Sequence, residues 1–173
     1  MSNTAPPPTY AQVRALPLLL ERTVPPEYED ANGHMNVTHH LGLHDQAALP
    51  FMHRLGLDFA FFTEQRRGIM DVEHHLRYLS EVFVGDTVAV HARMLERAER
   101  RFHGMWFLVN VTRERVANTF EFVSLHVDLD ARKAAPFDVR LAATLDELIA
   151  AERDILWPAP VCGVMGLDRK VTS

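Results

Sequence analysis

Between Asn36 and Leu57 the apolar residues Val37, Leu41, Leu43, Ala47, Ala48, Phe51, Met52 and Leu55 recur mostly at every third or fourth position. Beyond Thr63 that rhythm gives way to alternation at every second position. The first spacing puts side chains on one face of a helix, the second on one face of a pleated strand. The change of period confines the chain to an apolar helix followed by a sheet that must cover it. Asn36 is suited to cap the helix and Gly56 to close it. Pro50 lacks an amide and crowds the preceding turn, which predicts a kink or a break into two helices there.

Upstream, residues 18–28 read as a first strand, with Pro25-Pro26 at an edge or a bend because neither can donate to a ladder. Downstream, strands are predicted near 69–83, 87–96, 102–113 and 119–128. Gly85-Asp86 and Val116-Ala117-Asn118 stand where tight antiparallel connections belong, and residues 139–152 read as a C-terminal helix after the last strand. This order predicts an α+β domain, an antiparallel sheet of about five strands wrapped around a long central helix. Residues 1–15 are expected as a mobile, proline-rich tail, 16–155 as the single domain and 156–173 as a C-terminal extension.

Composition removes several functions. A chain of 173 residues, 47% hydrophobic and 24% charged, buries roughly two-thirds of its unfolded surface and needs no disulfide or metal to be stable. The single cysteine, Cys162, allows no internal bridge; it reads as an inert small residue in a reducing, cytoplasmic protein. A net charge of −5 opposes a role in neutralising nucleic-acid phosphates. Apolar runs such as 16–20 fall far short of the roughly 20 residues that cross a bilayer, so no membrane partner is expected. Nor is a metal. His40 and His44 share helical i, i+4 spacing, but Leu41 stands where the metalloprotease pattern needs glutamate. The adjacent pairs His39-His40 and His74-His75 point to opposite faces if they lie in a strand. The basic run Arg93, Arg97, Arg100 and Arg101, interleaved with Glu96 and Glu99, reads as a solvated strand end.

The segment Tyr28-Glu29-Asp30-Ala31-Asn32-Gly33-His34-Met35-Asn36 resembles the signature of hotdog-fold thioesterases of the 4-hydroxybenzoyl-CoA thioesterase-like class. In that class an aspartate ends the first strand three residues before a glycine at the mouth of the central helix. Tyr78 with Gly85-Asp86, and Leu125-His126-Val127-Asp128 with Arg132 and Pro136-Phe137, are similar to its later motifs, so the resemblance covers residues 18–140. It implies a hotdog fold, an acyl-CoA substrate and no cofactor. A sheet with open edges further implies a homodimer or higher homo-oligomer, each active site lying between protomers.

The chemistry independently favours this segment. Thioester hydrolysis needs a group that attacks or activates water and a donor for the negative charge developing on the carbonyl oxygen. A helix N-terminus supplies the donor, through unpaired amides and a dipole of about half a positive charge. The amide near Asn36 or Val37 is the candidate, and Asp30 is the candidate base or nucleophile. Gly33 would serve backbone freedom or close approach of the thioester, His34 a hydrogen bond to substrate. Coenzyme A thiolate leaves with little protonation, so one carboxylate can suffice. Gly33-His34-Met35-Asn36, Leu125-His126-Val127-Asp128 and Pro136-Phe137 are also similar to the thioesterases of carnitine breakdown, which act on betainyl-CoA. A trimethylammonium group calls for aromatic faces, which Tyr78, Phe102, Trp106, Phe107, Phe120 and Phe122 could supply. Of these, Tyr78 and Trp106 are the expected substrate-binding residues.

Two rival functions follow from the same residues. A hotdog enoyl-CoA hydratase carries an Asp-x-Asn-Pro-x-His order, and Asp30-Ala31-Asn32-Gly33-His34 lacks the proline and brings the histidine one position early. A non-catalytic acyl-CoA binder would gain nothing from a carboxylate aimed at the thioester, whose burial costs several kcal/mol unless hydrogen-bonded.

Overall fold

The computed structural model describes residues 5–167, and their centre is one helix, α2 (Val37–Arg54), lying on a six-stranded antiparallel sheet. The strands are β1 (Leu18–Thr23), β2 (Arg67–Tyr78), β3 (Thr87–Arg97), β4 (Arg101–Asn110), β5 (Arg115–Asp128) and the short β6 (Lys133–Ala134). Their order is β1-β3-β4-β5-β2, with β6 paired to the end of β5. Asn36 caps α2 by accepting the Thr38 amide at 3.0 Å, and Leu43, Ala47 and Phe51 form its buried face. They pack on the inner-face residues of the central strands, among them Val90, Phe102, Trp106, Leu108, Phe120 and Phe122. A closing helix, α4 (Val139–Ala151), is capped by the Asp138 carboxylate on the Leu141 amide at 2.8 Å and buries Leu141 and Leu145 in the same core.

The other face of the sheet is covered too. A short helix, α1 (Tyr10–Arg14), and the segment from Ile155 to Val161 pack Val13, Leu16 and Trp157 against Ala89, Met105, Phe107 and Val109. A sheet buried on both faces favours apolar residues at successive positions, which explains the unbroken run Met105-Trp106-Phe107-Leu108-Val109. Of the basic run, Arg100 stays on the exposed strand end, paired with Glu99 at 3.3 Å, while the other three reach neighbouring elements. Arg93 donates to the Trp157 carbonyl at 2.8 Å and lies over its indole, Arg97 pairs with Asp146 of α4, and Arg101 donates to the Leu167 carbonyl at 2.6 Å.

Several expectations need correction. Residues 1–4 of the expected tail and 168–173 of the extension lie outside the described residues, but within the tail Tyr10–Arg14 is helical. The reason is a capping box between Thr9 and Gln12 and the complete burial of Val13. Pro50 does not divide α2, which runs through it. Burial of Phe51 and Leu55 on either turn offsets the roughly 3 kcal/mol that an internal proline costs. The first strand ends at Thr23, and Pro26–Tyr28 form a single 3-10 turn, as prolines without ladder donors require. The β4–β5 connection is residues 111–114, with Glu114 at φ +52°, and not Val116-Ala117-Asn118, whose last two residues are wholly buried inside β5. A short helix, α3 (Phe59–Thr63), joins α2 to β2 and has no counterpart in the sequence reading. No helix among the described residues is long and apolar enough to cross a membrane.

Candidate active site

The segment between β1 and α2 is held as a closed loop by its own backbone. The Asp30 amide donates to the His34 carbonyl at 3.0 Å, and the Gly33 amide returns to the Asp30 carbonyl at 3.0 Å. Gly33 makes the turn with φ +77°, and a Cβ there would meet nothing within 4 Å, so the glycine serves conformation and not clearance within the protein. Two further bonds moor the loop: Met35 donates to Val82 of the β2–β3 connection at 2.7 Å, and Asn36 donates to Tyr28 at 2.8 Å.

This mooring aims the Asp30 carboxylate at the mouth of α2. One oxygen accepts the Asn32 amide at 2.8 Å, an Asx-turn, and the other faces the Asn36 side-chain amide at 3.4 Å. The His34 Nδ1 lies 3.8 Å from the carboxylate, and both side chains remain part-exposed, 30% for His34 and 18% for Asp30. Asn36 fills one of its two expected roles, the cap, and not the other. Its backbone amide is spent on Tyr28 and cannot hold a substrate oxygen, while its side chain caps the helix and steadies Asp30. Val37, at the first helical position, keeps an amide with no intrahelical acceptor. Asp30, His34 and Val37 line one cleft of about 520 Å³ together with His40, Tyr78 and Ser80.

Trp106 is not in that cleft. It lines a second cavity, of about 370 Å³, between α2 and the inner face of the sheet. The walls there are the rings of Phe51, Phe102, Trp106, Phe120 and Phe122, with Trp106 centred 5.1 Å from Phe122 and 5.3 Å from Phe51. Phe122 can lie across β4 because residue 104 is glycine: a Cβ there would stand 2.5 Å from the ring. Two carboxylates, Asp45 and Asp71, share the cavity. Asp71 accepts from Ser124 Oγ and contacts His74 Nε2 at 2.9 Å, and all three face the cavity. A register shift between Asp71 and Glu73 brings Asp71 and His74 to one side of β2, although they are three positions apart. The indole N–H of Trp106 is buried without a hydrogen-bond partner among the described residues. Of the other expected aromatics, Phe107 belongs to the opposite face of the sheet, where it packs on Trp157, and Tyr78 lines the Asp30 cleft instead.

A buried relay joins the two cavities. His44 Nε2 donates to Asn118 Oδ1 at 2.7 Å, and Asn118 Nδ2 donates to His40 Nδ1 at 2.9 Å. Asn118 thereby requires a neutral His40 with its proton on Nε2, and fixes a proton on His44 Nε2. Burial, reinforced by the neighbouring His34 and His39, pushes the His40 pKa down to about 4. Burial takes His44 to about 4 as well, against the raising effect of the Asn118 bond. His40 faces the Asp30 cleft and His44 the aromatic cavity, stacked on Phe120 at 4.6 Å. The i, i+4 spacing of these histidines was the visible signal; their partner, 74 positions beyond His44, had none.

A family model described as the thioesterase-like superfamily matches residues 24–145. The chain is 31% identical over 147 residues to the betainyl-CoA thioesterase of Pseudomonas aeruginosa, covering 85% of this chain and 92% of that protein. It is 32% identical over 144 residues to the L-carnitine dehydrogenase/betainyl-CoA thioesterase of Agrobacterium fabrum, covering 83% of this chain but 29% of that longer protein. Among solved structures, a Staphylococcus aureus protein in complex with CoA superposes with a TM-score of 0.76 at 22% identity, over 83% of this chain and 90% of that one. The 1,4-dihydroxy-2-naphthoyl-CoA thioesterase of Synechocystis does so with a TM-score of 0.66 at 15% identity, over 75% and 95%. These likenesses are to the hotdog fold.

Proposed function

This chain belongs to the thioesterase-like superfamily, and from that premise we propose that it is an acyl-CoA thioester hydrolase whose preferred acyl group is small and cationic, as in betainyl-CoA. The observation that carries the hydrolytic reading is the Asp30 carboxylate, oriented by the Asn32 amide and the Asn36 side chain at the mouth of α2. The thioester carbonyl accepts the Val37 amide, so that charge developing on its oxygen meets the positive end of the helix. Asp30 either takes a proton from the attacking water or attacks the carbonyl itself, giving a mixed anhydride that water then opens. Coenzyme A departs as thiolate in both routes. Single turnover in ¹⁸O-water separates them: label appears in the Asp30 carboxylate only on the anhydride route. His34 lies close enough to Asp30 to share a substrate or water hydrogen bond, and Tyr78 lines the same cleft, edge-on to His40.

The cationic preference rests on the second cavity, whose lining starts at Thr38, directly after Val37 of the Asp30 cleft on α2, and where five aromatic rings share the space with the carboxylates of Asp45 and Asp71. A ring face over a desolvated quaternary ammonium contributes on the order of 0.5 to 2 kcal/mol, and carboxylates add attraction that a neutral acyl group does not receive. Thiol release from betainyl-CoA and from its uncharged 3,3-dimethylbutanoyl counterpart tests this. The cation is expected to be favoured at least about tenfold in kcat/KM, or 1.4 kcal/mol. Equal rates would reduce the cavity to a reader of size, and intact thioester in every acyl-CoA tried would end the hydrolytic reading. The cleft is completed by a second copy of the chain. β2 is an edge strand that ends at Tyr78, so a protomer added along β2 stands beside the Asp30 cleft.

A further inference from the structure

On the sheet face away from α2, Glu121 is a carboxylate at 1% exposure in the middle of β5. Its Oε1 lies 3.0 Å from His103 Nε2, and His103 Nδ1 lies 3.2 Å from Glu96. Its Oε2 accepts the Cys162 amide at 2.7 Å and stands 4.0 Å from His75 Nδ1. His75 sits opposite Glu121 in the β2–β5 ladder, on the reverse side from His74 and the aromatic cavity. One ligating atom from each of His75, Glu121 and Cys162 lies within 4.8 Å of the other two. We propose that His75, Glu121 and Cys162 form a binding site for a divalent transition-metal ion, separate from both cavities.

The donor set is an imidazole nitrogen, a carboxylate oxygen and a thiolate, a mixture that suits zinc and its spectroscopic substitute cobalt better than magnesium or calcium. Bonds of about 2.0 to 2.3 Å in tetrahedral geometry need donor atoms roughly 3.3 to 3.8 Å apart. The cluster must therefore contract by about 1 Å, within the rotamer freedom of a half-exposed His75 and of a cysteine in an irregular segment. Binding forms the metal–sulfur bond and releases the Cys162 thiol proton to solvent, and water fills the fourth position. Glu121 is already oriented for the task, since His103 holds its other oxygen in the outer-shell arrangement that steadies metal-binding carboxylates. The ion would pin the C-terminal segment to β2 and β5, tying an irregular stretch to the covered face of the sheet.

Tag-free full-length protein, stripped with chelator and titrated with cobalt, provides the test. A sulfur-to-cobalt charge-transfer band is expected to saturate at one ion per chain, to vanish in Cys162→Ser, and to require at least tenfold more cobalt in His75→Gln. Zinc is expected to raise the thermal midpoint of the wild type and not that of Cys162→Ser, a readout independent of activity. Absence of the band in the wild type, its survival in Cys162→Ser, or a midpoint indifferent to zinc would overturn the proposal.

Discussion

Asp30 accepts from one backbone amide and one side-chain amide, so its replacement by asparagine keeps the shape and one of the two accepted hydrogen bonds, turns an NH2 toward the other donor in a part-exposed site, and removes the charge. Asp30→Asn is therefore expected to fold normally and to lose about 10²- to 10⁴-fold in thiol release, the range of a positioned base. A variant keeping more than a third of the wild-type rate would move the chemistry elsewhere. The histidine relay makes a separate claim, about acid stability. His40 and His44 titrate near 4 when folded and near the ordinary 6.5 when unfolded. Above 6.5 both states are neutral and the pair adds no pH dependence. Between 6.5 and 4 the unfolded chain takes up protons that the folded one refuses, so stability falls on acidification by up to about 1.4 kcal/mol per pH unit for each histidine. His91, also lowered by burial, acts in the same direction; His103, which burial lowers but Glu121 and Glu96 together raise by more, acts oppositely. The comparison with His44→Gln isolates the relay: urea unfolding from pH 6.5 to 4.5 should show a shallower decline in the variant, and identical slopes would refute the assignment.

At the scale of elements, the active loop depends on the connection between β2 and β3. Asp86, nearly buried there, accepts from the Phe83 amide at 3.0 Å, Asn110 Nδ2 at 2.6 Å and Arg113 Nε at 2.9 Å. Burial pushes its carboxyl up, but these donors outweigh burial and hold it below the usual carboxylate range. The same connection presents the Val82 carbonyl that receives Met35. Asp86→Ala leaves the buried Asn110 amide and the Phe83 N–H without their acceptor, releases the exposed Arg113 to solvent and frees that connection. It is expected to cost about 2 to 4 kcal/mol in denaturant unfolding and to lower thiol release well before Asp30 is touched. Unchanged stability would mean that solvent satisfies the three donors in place of the carboxylate. The Gly85-Asp86 pair was legible as a turn, whereas the anchoring role of Asp86 was not, because Arg113 reaches it from 27 positions away.

At the scale of the whole molecule, β1 and β2 are the two edges of the sheet, and β2 offers 12 residues to a partner. Light scattering at micromolar concentration is expected to return a mass of at least two chains, and specific activity is expected to fall on dilution below the dissociation constant. A fully active monomer would contradict a site shared between protomers. The covered outer face limits how assembly can occur, since α1 and the Ile155–Val161 stretch already occupy it.

The order of helix and strands, the Asn36 cap and the Asp30 loop were readable from the chain because each depends on residues a few positions apart, where period, capping and turn chemistry act locally. The fate of the aromatics was not. Period two places Phe107 and Trp106 on opposite faces but cannot say which face meets the helix, and a single register shift in β2 reverses such assignments downstream. Only the packed sheet decided that Trp106 and Tyr78 line different cavities, that Asn118 links His40 to His44, and that Cys162 meets Glu121 and His75. Such contacts join residues 41 to 87 positions apart, and pairing at that range is set by the whole fold.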